Sequence, residues 1–343
     1  MEGSPPTSDP ASRERLVELI TGCWGTQVIN VAVRLGLPDR LAQGPAAAAD
    51  LAVQTDSHGG ALFRLLRAMA VLGLVRHLGD DRFELTPSGR LLSADAPGSI
   101  RGMALHWGER LWGALSQLDQ SVRTGRPWRT SGMEGFLHMA NDPAQMAMFH
   151  QSMADQTGPV AKAILETYDF SRFSRVMDVG GSYGALLAAV LQAWPGLTGA
   201  VYDLPDLAAA AGIYLAQTQV GDRATFIGGD FFQSVPGGAD AYMLKMIIHD
   251  WDDEKARSIL GQCRKAAGPD GVVLVMEKIA PETVGGDAGD LATIRGDILM
   301  LTAAGGMERT ELEYRALLEE AGLTIRRIYP TSSGFSVIEA VAA

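Results

Sequence analysis

The stretch RVMDVGGSYG, residues 175–184, reads as a short buried strand that ends in a glycine-rich turn. Apolar residues then continue through residues 185–193 with the composition of a helix. A strand, a glycine turn and a helix in this order can hold a ligand, because glycine lets the ligand approach backbone N–H groups closely. The loop has the spacing GGxxG rather than the GxGxxG of dinucleotide-binding folds, so a tight turn with only a structural role is the alternative.

Six further apolar runs follow, and helical stretches separate most of them. The runs are TGAVYDL, ATFIGGDFF, AYMLKMIIHD, GVVLVMEKIA, TIRRIY and FSVIEAVA. Strands that alternate with helices predict a mostly parallel α/β sheet, here of seven strands, with helices on both faces. Only residues 330–334 join the last two runs, which is too short for a crossover helix, so the final pair is predicted to be antiparallel.

The chain before this sheet has a different pattern. Apolar residues in 13–36 recur close to every 3.6 positions and predict a long amphipathic helix. Two shorter helices follow, and then LVRHLGDDRFELT, which predicts a hairpin turning at residues 79–81. Helix, helix and hairpin is the order of a winged-helix unit. We therefore predict an N-terminal domain at residues 1–100 and a second domain at 101–343, with bridging helices at about 101–168.

Composition and charge restrict the partners of this protein. The 343 residues are 47% hydrophobic and 20% charged, and the formal net charge is −11, which repels nucleic-acid phosphates and anionic membranes. Residues 1–100 contain nine arginines, no lysine and eleven acidic residues. A DNA-binding winged helix would show a basic face, so a regulator that binds DNA is the weaker alternative and no nucleic-acid partner is expected.

The sequence also indicates the compartment. Cys23 and Cys263 fit no metal-ligand spacing and read as free thiols. The first residues lack the layout of a secretory signal, and no uncharged apolar run reaches the roughly 18 residues of a membrane helix. We expect a cytoplasmic protein with no membrane partner.

Acidic and aromatic side chains follow the second and third predicted strands. Asp203 comes 23 residues after Gly180, where a carboxylate can bind the hydroxyl pair of a ribose. Asp230 and Phe231 follow the third strand and offer a polar group and an aromatic face to an adenine. Because the carboxyl ends of parallel strands meet at one edge of a sheet, these residues predict a nucleoside-type cofactor site. Helix and turn capping is the alternative.

His249 ends the fourth strand at the same edge, and it is one of six histidines in the chain. A neutral imidazole, with a pKa of about 6.5, is suited to accept a proton from a hydroxyl. Glu277 near the end of the fifth strand and Glu308 after a later helix can orient such a histidine and stabilise its charge. For Glu308, a role at the start of the next helix is equally consistent. For His249, the alternative is a hydrogen bond to a loop carbonyl.

The acidic residues directly after His249 have a simpler interpretation. Asp252, Asp253 and Glu254 read as the N-cap and first turn of a helix. A divalent-ion site built from Asp250 and Asp252 is the alternative, and we expect no metal.

Together these motifs resemble the plant-type small-molecule O-methyltransferase family, of the caffeate and isoflavone kind, including its bacterial natural-product members. The motifs VMDVGGSYG, VYDLP, GGDFF, LKMIIHDWDDEKA and GGMERTELEY occur in that family's order and spacing, and the resemblance covers essentially the whole chain. It implies a Rossmann-like class I methyltransferase fold, an N-terminal domain that forms a homodimer, and a role in natural-product or antibiotic biosynthesis. It also implies methyl transfer from S-adenosylmethionine, which leaves S-adenosylhomocysteine, to a hydroxyl of a small aromatic molecule.

The resemblance assigns roles by position. His249 would be the general base, held by Glu277 and Glu308. Cofactor contacts would come from Gly180, Asp203, Leu204, Asp230, Phe231, Lys245, Trp251 and Thr157. Substrate contacts would come from Phe149, Met153, Met246, Asp250 and Met300. Many relatives have a further glycine where this chain has Ser182.

Methionines are frequent in the segments that would surround the site, at positions 139, 146, 148, 153, 246, 300 and 307. Flexible thioether side chains suit a flat aromatic substrate, and ordinary core packing is the alternative. A relative that keeps the cofactor site but catalyses hydroxylation, decarboxylation or ring closure is the alternative function, because a fold does not fix a reaction.

Overall fold

The computed structural model describes residues 10–128 and 143–343. By its contacts the chain divides into two compact units, Met1–Trp112 and Gly113–Ala343. The helix that begins at Arg101 contacts the helix Cys23–Arg34 inside the first unit. The residues just after position 100, which the sequence assigned to the second domain, therefore lie with the first unit.

The first unit combines helices with a small antiparallel sheet. Its helices are α1 (Pro10–Thr21), α2 (Cys23–Arg34), α3 (Leu37–Leu41), α4 (Ala48–Gln54), α5 (Gly59–Val71), α6 (Pro87–Arg90) and α7 (Arg101–His106), which continues as the π-helical turn Trp107–Leu111. Its strands are β1 (Ala46–Ala47), β2 (Val75–Gly79) and β3 (Arg82–Leu85), in the order β1-β3-β2. Asp80 and Asp81 form the predicted hairpin turn, and both have the positive φ that such two-residue turns require.

The predicted long N-terminal helix is present as α1 and α2, with only Gly22 between them. None of the side chains of α1 is buried, and Leu16, Leu19 and Ile20 are 58%, 62% and 73% exposed. The stretch Pro10–Arg34 is also long and apolar enough to cross a membrane by length and composition alone, although it contains charged residues such as Glu18. An apolar helix with an uncovered face is typical of an interaction surface.

The second unit is built on a seven-stranded sheet in the order β6-β5-β4-β7-β8-β10-β9. Its strands are β4 (Arg175–Val179), β5 (Thr198–Asp203), β6 (Ala224–Gly228), β7 (Ala241–Lys245), β8 (Val272–Glu277), β9 (Leu323–Pro330) and β10 (Ser336–Ala342). Strand β10 runs antiparallel to both neighbours, whereas β4 to β8 pair in parallel. This confirms the predicted mostly parallel sheet with an antiparallel final strand.

Helices cover this sheet and connect its strands. Within the described residues they are α8 (Trp112–Leu115), which starts at the last residue of the first unit, α9 (Leu118–Thr124), α10 (Pro143–Thr167), α11 (Ala185–Ala193), α12 (Ala208–Ala216), α13 (Asp253–Ala267), α14 (Ala288–Leu299) and α15 (Glu311–Glu320). Short 3-10 turns lie at Pro205–Leu207 and Ile248–Asp250, and α14 continues as the π-helical turn Met300–Ala304.

Two apolar cores lie against the sheet because successive strand residues point to opposite faces. Val176 of β4 belongs to the core that contains Leu187 of α11, and its neighbour Met177 belongs to the core that contains Ile259 of α13. The chain leaves β4 in one direction, through β5 and β6, and returns to β7 on the other side of β4. Such a reversal of strand order opens a crevice at the carboxyl edge, where open α/β sheets bind ligands.

Candidate active site

His249 lies on the 3-10 turn that follows β7, and only 4% of it is exposed. Glu277, at the end of the neighbouring strand β8, stabilises this turn by hydrogen bonds to its backbone. Its Oε1 accepts hydrogen bonds from the backbone N–H groups of Ile247 and Ile248, at 2.9 and 3.0 Å. The end of one strand therefore presents the histidine, and the end of the next strand holds it in place.

Carboxyl groups face both nitrogens of the His249 ring. Nδ1 lies 3.1 Å from Glu308 Oε1 and 3.6 Å from Glu277 Oε2, and Nε2 lies 3.6 Å from Asp250 Oδ1. A carboxylate at hydrogen-bond distance from Nδ1 favours the ring form that carries its proton on Nδ1. In the neutral ring the lone pair is then on Nε2, so Nε2 is the atom that can accept a further proton.

The cluster of His249 with Glu277, Glu308 and Asp250 changes the pKa values of its own members. Burial alone would lower the pKa of His249, but Glu277, the hydrogen bond to Glu308 and Asp250 outweigh it and raise that pKa to about 10. Burial raises the pKa of Glu277 to about 7, against the effect of His249. The second oxygens of Glu277 and Glu308 are buried and have no hydrogen-bond partner among the described residues. The cluster therefore binds a proton tightly and can stabilise an imidazolium.

Glu308 reaches His249 because the segment before α15 packs directly on the histidine turn. The N–H of Met307 donates to the His249 carbonyl at 2.9 Å, and the N–H of Glu308 donates to Asp297 Oδ1 at 3.0 Å. A Cβ at Gly306 would lie 2.0 Å from the same His249 carbonyl oxygen, so only glycine permits this approach. Thr310, not Glu308, caps α15, which resolves the two interpretations of Glu308 in favour of the contact with His249.

Arg309 is a residue of this site that sequence reasoning did not single out. It is 1% exposed, and it donates to the carbonyls of Ile248 and Trp251 on either side of His249, at 3.1 and 2.8 Å. It also bonds Asp253 Oδ1 at 3.0 and 2.8 Å. Arginine beside Glu308 was visible in the sequence, but nothing in the pattern indicated that its guanidinium is buried against the turn.

The same cluster has the composition of a possible metal site. One ligand atom from each of His249, Glu277 and Glu308 lies within 4.8 Å of the others. A metal ion bound through Nδ1 would have to replace the hydrogen bond between His249 and Glu308. The other ion site considered from the sequence, Asp250 with Asp252, is not favoured, because Asp252 accepts from the Lys255 N–H as the N-cap of α13.

The glycine turn after β4 lies beside the histidine turn, as the sheet order requires. Gly180 has a φ of 71°, and a Cβ on it would lie 2.4 Å from Ile247 Cδ1. Asp203, at the end of β5, accepts from the N–H of Ser182 through Oδ2 at 2.8 Å and from the N–H of Leu204 through Oδ1 at 2.7 Å. The glycine turn and the predicted ribose carboxylate therefore form one hydrogen-bonded unit.

Two ionisable residues, Lys245 and Asp178, lie near this unit on the central strands. Lys245, at the end of β7, is half-buried; burial lowers its pKa, and the nearby charges of Asp178, Glu277 and Asp250 oppose that shift. Asp178, 2% exposed in β4, has a pKa that burial raises to about 7 despite Lys245. Asp178 was not among the predicted site residues, and the signal for it is a charged residue inside the apolar run Val-Met-Asp-Val. Met246, which follows Lys245, has a φ of 56°, an uncommon conformation for a side-chain-bearing residue.

Phe231 and Trp251, which are predicted to contact the adenine, lie close to each other. Phe231 lies edge-on to Trp251 with ring centroids 6.1 Å apart, and Phe232 lies edge-on to the same indole at 4.8 Å. Trp251 is only 5% exposed. Asp230 accepts from the Phe232 N–H at 2.9 Å, so one of its carboxylate oxygens stabilises its own turn.

Three of the predicted site residues lie on α10. Phe149 and Met153 are half-buried, and Thr157 is 4% exposed and donates its hydroxyl to the Met153 carbonyl at 2.7 Å. Thr157 also lines a groove of about 640 Å³ with residues of α11 and α12. The roles of these three side chains at the cofactor and the substrate stay predictions.

The methionines are distributed around the second unit. Half-buried side chains occur at positions 146, 148, 153, 246 and 300, and Met307 is 37% exposed. Met300 begins the π-helical turn after α14. Met139 lies outside the described residues. Incomplete burial of these residues is compatible with a pocket lining, and that role remains a prediction.

The chain is similar to known proteins over nearly its whole length. A family model described as an O-methyltransferase domain matches residues 115–324, and one described as an O-methyltransferase dimerisation domain matches residues 17–95. The chain is 37% identical to a phenazine O-methyltransferase of Lysobacter antibioticus, over 95% of each chain. It is 39% identical to the O-demethylpuromycin-O-methyltransferase of Streptomyces alboniger, over 96% of this chain and 89% of that one.

A solved structure gives the same result at the level of the fold. It is that of an O-methyltransferase from neocarzinostatin biosynthesis, in complex with S-adenosyl-L-homocysteine and 1,4-dihydroxy-2-naphthoic acid. The TM-score is 0.77 at 34% identity, and the match covers 93% of this chain and 96% of that one.

Proposed function

Because this chain belongs to the O-methyltransferase family, we propose that His249 is the base that takes the proton from the hydroxyl group it methylates. The protein is an S-adenosylmethionine-dependent enzyme that methylates a hydroxyl group of a small aromatic molecule. The observation that supports the role of His249 is its position, buried between Glu277, Glu308 and Asp250 and beside the glycine turn.

The residues at the carboxyl edge fit the cofactor. Gly180 provides close backbone approach, and Asp203 with Leu204 provides a carboxylate fixed for a ribose hydroxyl pair. The other residues proposed to hold it are Asp230, Phe231, Lys245, Trp251 and Thr157. When bound, S-adenosylmethionine supplies the methyl group on a positively charged sulfonium. The aromatic side chains of Phe231 and Trp251 suit an adenine ring.

The protein has to align the acceptor oxygen and remove its proton. We propose that His249 Nε2, the atom with the free lone pair, receives this proton as the new carbon–oxygen bond forms. Glu308 and Glu277 then stabilise the resulting imidazolium through Nδ1, and Asp250 stabilises it from the other side. Because the raised pKa keeps His249 protonated at neutral pH in the free enzyme, the reactive form is the one that has lost this proton.

We propose that Phe149, Met153, Met246, Asp250 and Met300 contact the substrate. Half-buried thioether and aromatic groups would cover the faces of a flat ring, and Asp250 lies beside the proposed base. Relatives named for phenazine, naphthoate and 3-amino-4-hydroxybenzoate substrates support a phenolic or polyketide-type natural product as the acceptor class.

We also propose that the protein is a homodimer in the cytoplasm. The match of residues 17–95 to a dimerisation domain and the exposed apolar side chains of α1 support the homodimer. A partner's surface over α1 would also explain why Pro10–Arg34 is apolar enough to pass as a membrane span.

Incubation with methyl-labelled S-adenosylmethionine and a panel of aromatic hydroxyl compounds tests the reaction. The expected result is a product heavier by one methyl group, with the label on oxygen. A hydroxylated, decarboxylated or cyclised product that carries no labelled methyl group would instead support a relative with another reaction.

A further inference from the structure

The glycine turn contains one residue with a conformation that glycine normally supplies. Ser182 has a φ of 54°, in the left-handed region, between Gly180 at 71° and Gly184 at 86°. Residues with a Cβ are disfavoured in this region, so some contact has to stabilise Ser182 there. The rest of the loop avoids the problem because its other left-handed positions are glycines.

His150 of α10 makes that contact. Its Nδ1 shares a hydrogen bond of 2.6 Å with the Ser182 hydroxyl, and the imidazole lies 4.9 Å from the Tyr183 ring. His150 is only 3% exposed, and its other nitrogen, Nε2, has no hydrogen-bond partner among the described residues. Within the described residues, Ser182 is therefore the one polar side chain to which this buried ring hydrogen-bonds.

The charge of His150 suits this contact. Burial lowers the pKa of His150 to about 4, so the ring is neutral at physiological pH. A neutral ring can share a hydrogen bond with a hydroxyl in either direction, because each nitrogen can carry the proton. The bond therefore needs no counter-charge.

The conformation of Ser182 has a consequence for Asp203. With Ser182 in the left-handed region, its backbone N–H donates to Asp203 Oδ2 at 2.8 Å, while the Leu204 N–H holds Oδ1 at 2.7 Å. A chain of contacts thus runs from His150 through Ser182 to the carboxylate proposed to bind the cofactor ribose.

We propose that His150 is a positioning residue for cofactor binding, which holds Ser182 in a left-handed conformation so that its N–H orients the Asp203 carboxylate. This inference rests on the proposed role of Asp203 at the cofactor ribose. It assigns His150 no contact with the cofactor or with the methyl acceptor. It predicts that His150 affects affinity for the cofactor and leaves the chemical step at saturating cofactor nearly unchanged.

The alternative is that His150 only fills space between α10 and the glycine turn, since its ring also lies 5.3 Å from that of Phe149. The two roles differ in how they depend on Ser182. If His150 compensates for a side chain in the left-handed region, its contribution should disappear when residue 182 is glycine. If it only packs, its contribution should be the same in both backgrounds.

A double-mutant cycle on the full-length protein separates these roles. The variants are His150→Leu, Ser182→Gly and the combination of both, and the readout is the Kd of S-adenosylhomocysteine by titration calorimetry. We expect His150→Leu to weaken binding about tenfold, the effect of losing one neutral hydrogen bond, and to have little further effect in the Ser182→Gly background. An equal loss in both backgrounds, or no loss from His150→Leu, would overturn the proposal.

A conservative variant guards against a general loss of folding. His150→Asn places an amide close to the position of Nδ1 and should retain affinity within about threefold, whereas His150→Leu should not. The melting temperature is measured for each variant. In steady-state kinetics His150→Leu should raise the KM for S-adenosylmethionine and leave kcat close to that of the parent. Equal losses from the Asn and Leu variants would show that the hydrogen bond is not what matters.

Asp203→Ala distinguishes failure of this inference from failure of the proposed site. If Asp203→Ala loses affinity and His150→Leu does not, the positioning role is wrong and the ribose site stands. If Asp203→Ala binds S-adenosylhomocysteine as well as the parent does, the ribose assignment is wrong, and the inference falls with it.

Discussion

His249 lies among three carboxyl groups, and this arrangement determines how its proton moves. Glu308 and Glu277 face Nδ1, and Asp250 faces Nε2. Together they raise the pKa of His249 to about 10, although burial alone would lower it. Because the folded protein binds this proton more tightly than the unfolded chain does, the resulting stability is complete below pH of about 6.5 and is lost as the pH rises through about 10.

Removal of the imidazole tests the proposed base. His249→Ala is expected to lower kcat at least about a hundredfold, the usual size of a general-base effect. The measurement is the rate of methyl transfer at saturating cofactor and acceptor. The Kd of S-adenosylhomocysteine should remain within about threefold, which shows that the site is still folded. A near-normal kcat in this variant would refute the assignment.

Removal of one neighbouring carboxylate tests the electrostatic role of Glu308. Activity should rise with pH as His249 loses its proton, because only the neutral ring can act as a base. Glu308→Gln removes a negative charge 3.1 Å from Nδ1, so the pKa of His249 falls and the acidic limb of kcat/KM moves to lower pH.

The matched control for this experiment is Glu311→Gln, which removes a carboxylate that is 49% exposed on α15. It should leave the pH profile in place, because exposed charges are screened by water and salt. A limb that stays in place in Glu308→Gln, or moves to higher pH, would contradict the proposed electrostatic role of Glu308.

At the scale of elements, the site forms where the segment before α15 meets the turn after β7. The two pieces are more than 50 residues apart, and their contact depends on Gly306, the Met307 N–H and the buried Arg309 guanidinium. The sequence indicated each piece, and it indicated that β7 ends at the carboxyl edge. It also predicted that Glu308 lies beside His249. It did not indicate the backbone contacts or the buried guanidinium that hold the two segments together, because backbone carbonyls as partners leave no pattern in the sequence.

Gly306→Ala tests the close approach of these two segments. The added Cβ would lie 2.0 Å from the His249 carbonyl oxygen and 2.5 Å from the Asp250 carbonyl carbon. We expect the segments to separate, with a loss of about 1–3 kcal/mol in the free energy of unfolding and a large loss of kcat, because Glu308 leaves Nδ1. Urea denaturation and methyl transfer measure the two effects.

Gly261→Ala is the control, since Gly261 lies inside α13 with nothing within 4 Å of its added Cβ. It should raise the free energy of unfolding by about 0.5–1 kcal/mol and leave activity unchanged, because alanine favours a helix interior. If Gly306→Ala behaved like this control, the close packing of the two segments would be unimportant for the site.

At the scale of the whole molecule, the exposed apolar side chains of α1 are the feature that a single chain does not explain. Leu19→Glu combined with Ile20→Glu places charge on two side chains that are 62% and 73% exposed. If α1 forms the proposed homodimer interface, this double variant should be monomeric at micromolar concentration, because an interface core does not tolerate unpaired charge. Light scattering coupled to gel filtration measures the mass.

Val53→Glu provides the comparison, since Val53 on α4 is 84% exposed. It should leave the protein dimeric. A parent protein that is monomeric, or a double variant that remains dimeric, would contradict the role of α1. If the parent protein sediments with lipid vesicles, this result would instead support insertion of Pro10–Arg34 into a membrane.

The sequence alone determined the layout of this protein. Alternation of apolar runs with helical stretches predicted the seven-stranded sheet, and the short connection before β10 predicted its antiparallel end, because both depend on spacing along the chain. Strand ends likewise placed Gly180, Asp203 and His249 at one edge. Local patterns carry such information because a residue's neighbours decide whether it continues a strand or ends it.

Tertiary structure decided how the site works. Only the folded chain shows which carboxyl oxygens face each nitrogen of His249. It also shows that Thr310, rather than Glu308, caps α15. Arg309 and His150 are each buried beside a loop to which they form hydrogen bonds. The contacts of Glu308 with His249, of Arg309 with Ile248 and of His150 with Ser182 join residues more than 30 positions apart. Their energies depend on distance and burial, which the order of residues does not contain.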